Sequence, residues 1–372
     1  MKRLSQQIFL CYAAFLLLPL VVWAQENSGS EAETPSVQDE GFERKAMLEN
    51  IALNVVLPLQ QSFVEQTQAL EEAVQTLSQN PSQETLQAAQ ETWTAASAAW
   101  QRVNLFEVGG LEMTMLFNQI SKTPTDPALI DKAISEGKYA ESVGSTSKGL
   151  PALEYLLFSP KGDEATLTSL EDAAWMDYLV DLSTDLSQKA DELHTLWSPD
   201  GENYAATFAA ADAQGGKTQG SINMLVNEMV NLSEVIVRDK LGRPLGKMNG
   251  GEPAPETAEA ARSDASLVNL ISNVEALKMT FNGAEGLGFD DYLNYINAFY
   301  AYGPLSETIN EQFDETLTAL NAIEMPLSRA VTETPDAVQT AYDKARLLVI
   351  LLKSDMGNQM GVTVTFNDAD GD

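Results

Sequence analysis

Glu154 is a carboxylate in apolar company. It lies in GLPALEYLLFSP, residues 149–160, among Leu150, Leu153, Tyr155, Leu156, Leu157 and Phe158. On a helix, Leu150, Leu153 and Leu157 share its face through i,i+3 and i,i+4 spacing. A Glu at the edge of such a stripe must be paired, protonated or ligating something, because burying a lone charge is costly. Gly149 and Pro151 give the segment a sharp start: glycine permits the turn, and proline is tolerated in a first helical turn. The plain alternative is a core helix whose Glu finds an Arg or backbone donors.

A second polar cluster is RSDASLVN, residues 262–269. Arg262, Ser266 and Asn269 read as one helical face, either a polar pocket wall or a buried network joining two domains. An Arg262–Glu154 ion pair would satisfy the plain reading. Arg262, Ser266 and Asn269 around Glu154 and a cavity would make a binding site. The single histidine, His194, follows Asp191 by three. Asp-x-x-His can present two ligands on one helix face, although an imidazole paired with that Asp near a helix end is commoner. The terminal Asn367-Asp368-Ala369-Asp370-Gly371-Asp372 has the look of a calcium loop without its distal Glu or its length.

These residues exclude several chemistries. A zinc hydrolase of the usual kind needs three protein ligands, generally His-rich, and there is one His and no His-Glu-x-x-His. A di-iron carboxylate bundle uses two Glu-x-x-His pairs. A Ser-His-Asp triad would have to recruit His194, with no strand–Gly-x-Ser-x-Gly–helix context. An all-oxygen site for a hard cation, an iron or calcium ion with Glu154 as one ligand, stays open.

The segments that must position these groups read as helices. Met47, Ile51, Val55, Leu59, Phe63, Leu70, Val74 and Leu77 fall at helical spacing, with Pro58 expected to kink or split the run. Asn80-Pro81-Ser82 marks a turn. The next helix carries Leu86, Trp93, Trp100 and Val103, with both Trp rings expected in the core. Further helices are expected over 170–197, 218–240, from 265 past Leu277, over 306–331 and over 334–356, the last with Thr334 as N-cap and Pro335 behind it. Between them, Leu241 to Pro255 is a long Gly- and Pro-rich stretch in which Arg243, Lys247 and Asn249 stand out. Leu70, Ala73 and Val74 before Pro81 are echoed by Leu327, Ala330 and Val331 before Pro335, a weak internal repeat. The expectation is an all-α fold: two helical bundles, 42–200 and 201–372, related by duplication.

The chain carries 54 acidic and 22 basic side chains, a net charge of −32, which argues against nucleic acid and anionic lipid as partners. Lys2 and Arg3, the apolar run Ile8 to Val22 and the small-residue pattern ending at Ala24 read as a signal peptide over 1–24. Cys11 raises lipidation, but most of the apolar run follows it, so ordinary cleavage is expected and removes the single cysteine. Residues 25–41 read as a polar flexible tether. Export to the periplasm follows, with outer-membrane association open.

The stretch around Glu154 resembles the signature of the imelysin-like family, Gly-x-His-x-x-Glu. Gly149 and Glu154 match it, and Pro151 stands at the histidine position. Residues 91–110, 239–277 and 361–372 also resemble this family, in the expected order. The resemblance implies two helical bundles from a duplication, with Gly149, Pro151, Glu154, Arg262, Ser266 and Asn269 around a ligand site near their interface. It also implies a role in iron acquisition at the bacterial envelope, with a metal ion, a small iron-carrying ligand or a peptide as ligand and envelope iron-uptake proteins as partners. Some family members are described as peptidases. Proline can neither ligate a metal nor move a proton, so binding is expected rather than catalysis. The alternatives are a metal-dependent peptidase and a structural partner of an envelope complex.

Overall fold

A computed structural model describes residues 41–109, 111–210 and 220–364. The expected signal peptide with Cys11, nearly all of the tether and the calcium-like C-terminus lie outside the described residues. From Phe42 onward the chain makes one compact unit. The all-α expectation is met: the two-residue strands of one hairpin are the only strands among the described residues.

α1 (Arg44–Ile51) runs through a π-helical turn, Ala52–Val56, into α2 (Leu57–Gln79). The wide turn sits just ahead of Pro58. A proline ring lacks an N–H and crowds the carbonyl four residues back, and the π turn relieves both where a kink was expected. α3 (Gln83–Val103) starts with a capping box: the Thr85 amide donates to the Ser82 hydroxyl, and the Ser82 amide donates back to the Thr85 hydroxyl. α4 (Leu111–Ile120), α5 (Pro127–Ser135), α6 (Gly149–Leu157) and α7 (Asp163–Leu170) are short. α8 (Ala173–Trp197) is long and N-capped by Asp172.

α9 (Tyr204–Ala210) leads to the second half, where α10 (Ser221–Val235) continues into a π-helical segment, Ile236–Gly242. The Gly-rich stretch after it is a chain of turns, with Gly246, Gly250 and Gly251 at positive φ. α11 (Ser266–Asn282) and α12 (Phe289–Tyr295) precede the hairpin of β1 (Phe299–Tyr300) and β2 (Gly303–Pro304). The single helix expected over 306–331 is two, α13 (Leu305–Asn321) and α14 (Leu327–Glu333), because Pro326 cannot continue the first. α15 (Pro335–Ile350) has Pro335 at its start as expected. Thr334 does not cap it; its hydroxyl donates backward to the Ala330 carbonyl.

α2 packs against both α3 and α8, and α6 lies across α3 and α8. On the other side α13 packs against α11 and α15. The two sets meet where α3 lies on α11. Trp93 and Trp100 are both buried, as expected, with Trp100 packed between Phe63 and Phe117 at ring-centroid distances of 5.3 and 4.9 Å. No helix among the described residues is long and apolar enough to cross a membrane.

Candidate functional site

α6 begins pressed on the end of α4. Gly149 has φ +72°, and a Cβ there would run into the carbonyl oxygens of Ile120 and Gln119. The Trp93 indole then fixes the helix by donating to the Leu150 carbonyl at 3.0 Å. Held this way, α6 turns Glu154 towards the turn that precedes α11.

That turn contains two left-handed residues, Ala260 (φ +50°) and Asp264 (φ +59°). They stop a helix from forming through it, so Arg262 does not share a helical face with Ser266 and Asn269, contrary to expectation. Instead, the Arg262 and Ser263 amides both aim at Glu154 Oε1, at 3.1 and 3.0 Å, and the Ser263 hydroxyl adds a third bond at 2.9 Å. Glu154 is 9% exposed, and burial lifts its carboxyl above the usual range. The three donors and the Arg262 charge pull the other way without cancelling this. The Arg262 guanidinium makes no hydrogen-bonded fork with Glu154 and lies 4.9 Å over the Tyr155 ring. The Tyr155 hydroxyl donates to Asp131 at 2.8 Å, and burial with that bond pushes its phenol up to about 12.

The α3–α11 seam is polar and built in rungs. The Ser97 hydroxyl donates to the Asn269 amide oxygen at 3.1 Å. One turn on, the Asn273 amide nitrogen donates to the Gln101 carbonyl at 2.8 Å, and Arg102 pairs with Glu275 at 2.7 Å. Lys240, 7% exposed, reaches into this seam from the π-helical segment. Its ammonium contacts Gln101 Oε1 at 2.8 Å, Asn273 Oδ1 at 2.7 Å and the Glu259 carboxylate at 2.8 Å. Ser266 turns its hydroxyl to the Glu259 carbonyl and so holds the turn rather than facing Glu154.

Pro151, Glu154 and Asn269, with Trp93, Ser97 and Glu259, line a cavity of about 40 Å³, enough for a few water-sized atoms. A larger chamber of about 240 Å³ shares Gln101, Ser121, Thr123 and Glu259 with it. Glu107 and Glu228 stand on the chamber wall. Burial raises both carboxyls, Glu228 to about 7, where the Asn231 amide opposes the rise and the Glu107 charge adds to it.

The structure therefore gathers Gly149, Pro151, Glu154, Arg262, Ser266 and Asn269 at one seam, with only Pro151, Glu154 and Asn269 lining the small cavity. Ser263, Glu259, Gln101, Lys240 and Asn273 were missed. Part of the signal was there: Ser97 and Gln101 on α3, and Asn269 and Asn273 on α11, are polar pairs four apart within apolar stripes. Other singled-out residues lie elsewhere. His194 Nδ1 is buried without a hydrogen-bond partner, and among the described residues His194 makes no hydrogen bond or ion pair with Asp191. Arg243 pairs with Asp239 at 2.9 Å, and Lys247 lies over Tyr342. Among the described residues, no three His, Cys, Asp or Glu side chains gather as metal ligands would.

The imelysin family model matches residues 56–350. The chain belongs to the imelysin family. It is 25% identical over 278 residues to iron-regulated protein A of Synechococcus elongatus, covering 73% of this chain and 74% of that protein. Two solved structures share the fold at 19% identity. One is a candidate iron-regulated protein A precursor from Parabacteroides distasonis, with TM-score 0.71 over 85% of this chain and 95% of the other. The second is an imelysin-like protein from Psychrobacter arcticum, with TM-score 0.70 over 87% and 97%.

Proposed function

We propose that this imelysin is an exported binding protein of the bacterial envelope's iron economy, with its ligand site in the polar cleft between α3, α6 and α11. The observation that carries this reading is the Glu154 anchor beside a cavity that adjoins a larger polar chamber. The names of its relatives support the link to iron. Pro151 lines the cavity at the signature's histidine position, where its ring offers no ligand atom and no proton, so binding is favoured over peptide cleavage. The ligand is a metal ion, a small iron-carrying compound or a peptide segment. The sequence pattern of 1–41 supports delivery to the periplasm on a tether, where envelope iron-uptake proteins are the natural partners. The echo of residues 70–81 in 327–335 supports descent of the halves 42–200 and 201–372 from a duplication.

Calorimetry and elemental analysis of the mature chain with Fe²⁺, Fe³⁺, Ca²⁺, Zn²⁺ and ferric citrate test the reading. Stoichiometric binding that is lost in Glu154→Gln, without cleavage of a peptide substrate, is the expected result. Metal-dependent cleavage would overturn it in favour of a peptidase. Neither binding nor cleavage would favour a structural partner.

A further inference from the structure

The larger chamber has a composition that an iron site does not explain. Its wall carries Trp100, Phe117, Leu232 and Val235 on one hand and the carboxylates of Glu107 and Glu228 on the other. The charge of Lys240, the cation that lines it, is already answered by Glu259 at 2.8 Å. That leaves Glu107 and Glu228 without a cation of the lining beside them, in a mixed polar and apolar chamber much larger than a bare ion. A ligand that fits has an ammonium for the acids and a methylene chain for the apolar wall.

We propose that this chamber binds a small organic cation, a primary amine of the size of a basic amino acid or a short diamine, with Glu107 and Glu228 as its anionic anchors. Asn118 adds an acceptor: its amide nitrogen is spent on the Thr114 carbonyl, at 2.8 Å, which leaves its oxygen for the ligand. The proposal deepens the binding reading and rests on it only in taking the cleft as a ligand site.

The anchors also make binding proton-linked. Glu228 faces Glu107 from α10, and Glu107 in turn feels Lys122, while Glu259 and Lys240 complete the charged groups of the lining. With its carboxyl pushed up to about 7, Glu228 must give up a proton to receive an ammonium at mildly acidic pH. Affinity then tightens by roughly tenfold between pH 6 and 8, as the competent ionised fraction grows.

The test is calorimetry on the mature chain with 1,4-diaminobutane and with lysine, at pH 6, 7 and 8, in two buffers of different ionisation heat. The expected result is one site per chain, proton release below pH 7 and weaker affinity at low pH. Glu228→Gln, shown to be folded by circular dichroism and its thermal melt, should weaken binding by about tenfold or more and flatten the pH dependence. Glu154→Gln should leave amine binding intact, which separates this proposal from the metal reading of the smaller cavity. Failure of both amines to bind the folded wild type at millimolar concentration would overturn it. So would amine binding that survives in both Glu107→Gln and Glu228→Gln, because the acidic surface would then be the site.

Discussion

Glu154 Oε1 accepts from both the amide and the hydroxyl of Ser263, at 3.0 and 2.9 Å, and so ties α6 to the turn that leads into α11. The anchor depends on an oxygen, not on a charge. Burial has already raised the Glu154 carboxyl, so ionising it works against the fold. Glu154→Gln keeps an acceptor oxygen and should change stability by less than about 1 kcal/mol at pH 7. Glu154→Ala strands two amides, the Ser263 hydroxyl keeping the Ala260 carbonyl at 3.1 Å, and should cost about 2–3 kcal/mol. Urea denaturation of both variants checks this; equal losses would mean that the charge itself holds the turn.

Glu228 gives stability a pH dependence of definite sign. Its carboxyl rises from 4.5 to about 7 on folding, so the folded state binds the proton more tightly than the unfolded one. The neutral form's contribution is fully present below pH 4.5 and is lost as pH rises towards 7, a swing on the order of 3 kcal/mol at most. Glu228→Gln should remove that part of the slope and leave the variant relatively more stable than wild type at pH 8. Thermal melts from pH 4.5 to 8 provide the measurement.

The helices and the main core positions are legible because apolar periodicity reports them directly; the seven-residue spacing of Trp93 and Trp100 is enough to place both in the core. Glu154 was legible for the opposite reason, as a charge where the pattern calls for an apolar residue. The turn at 260–264 was not. Ala260 and Asp264 adopt positive φ, and neither residue type announces it as a glycine would. A helical reading through Arg262 was therefore natural and wrong. Lys240 was hidden because its partners Gln101, Asn273 and Glu259 come from three distant segments. Pairings of that kind are set by the tertiary fold, which periodicity does not encode.

Lys240 and Glu259 should behave as a coupled pair, the lysine buried and the glutamate half-buried. Lys240→Met removes a cation that satisfies three acceptors and leaves the Glu259 carboxylate without its counter-charge. A loss of about 2–3 kcal/mol is expected, below that of a fully buried pair because water still reaches Glu259. Lys240→Met combined with Glu259→Gln should recover part of it, with a coupling of at least about 1 kcal/mol in a double-mutant cycle. Additive losses would show that the seam treats them as independent.

Arg262 separates the two ways in which α6 can be joined to α11. In an ion pair the guanidinium would hold Glu154, and Arg262→Ala would cost about 3–5 kcal/mol by stranding a buried carboxylate. Here the Arg262 backbone amide makes the bond at 3.1 Å, and every residue but proline supplies that amide. The guanidinium is occupied over Tyr155. Arg262→Ala should therefore cost only about 0.5–1 kcal/mol, the scale of an exposed cation–π contact. Its charge still lowers the Glu154 carboxyl somewhat, so a small coupling to Glu154→Gln is expected, below about 1 kcal/mol. A coupling of several kcal/mol in that cycle would place the guanidinium, not the turn's backbone, at the centre of the anchor.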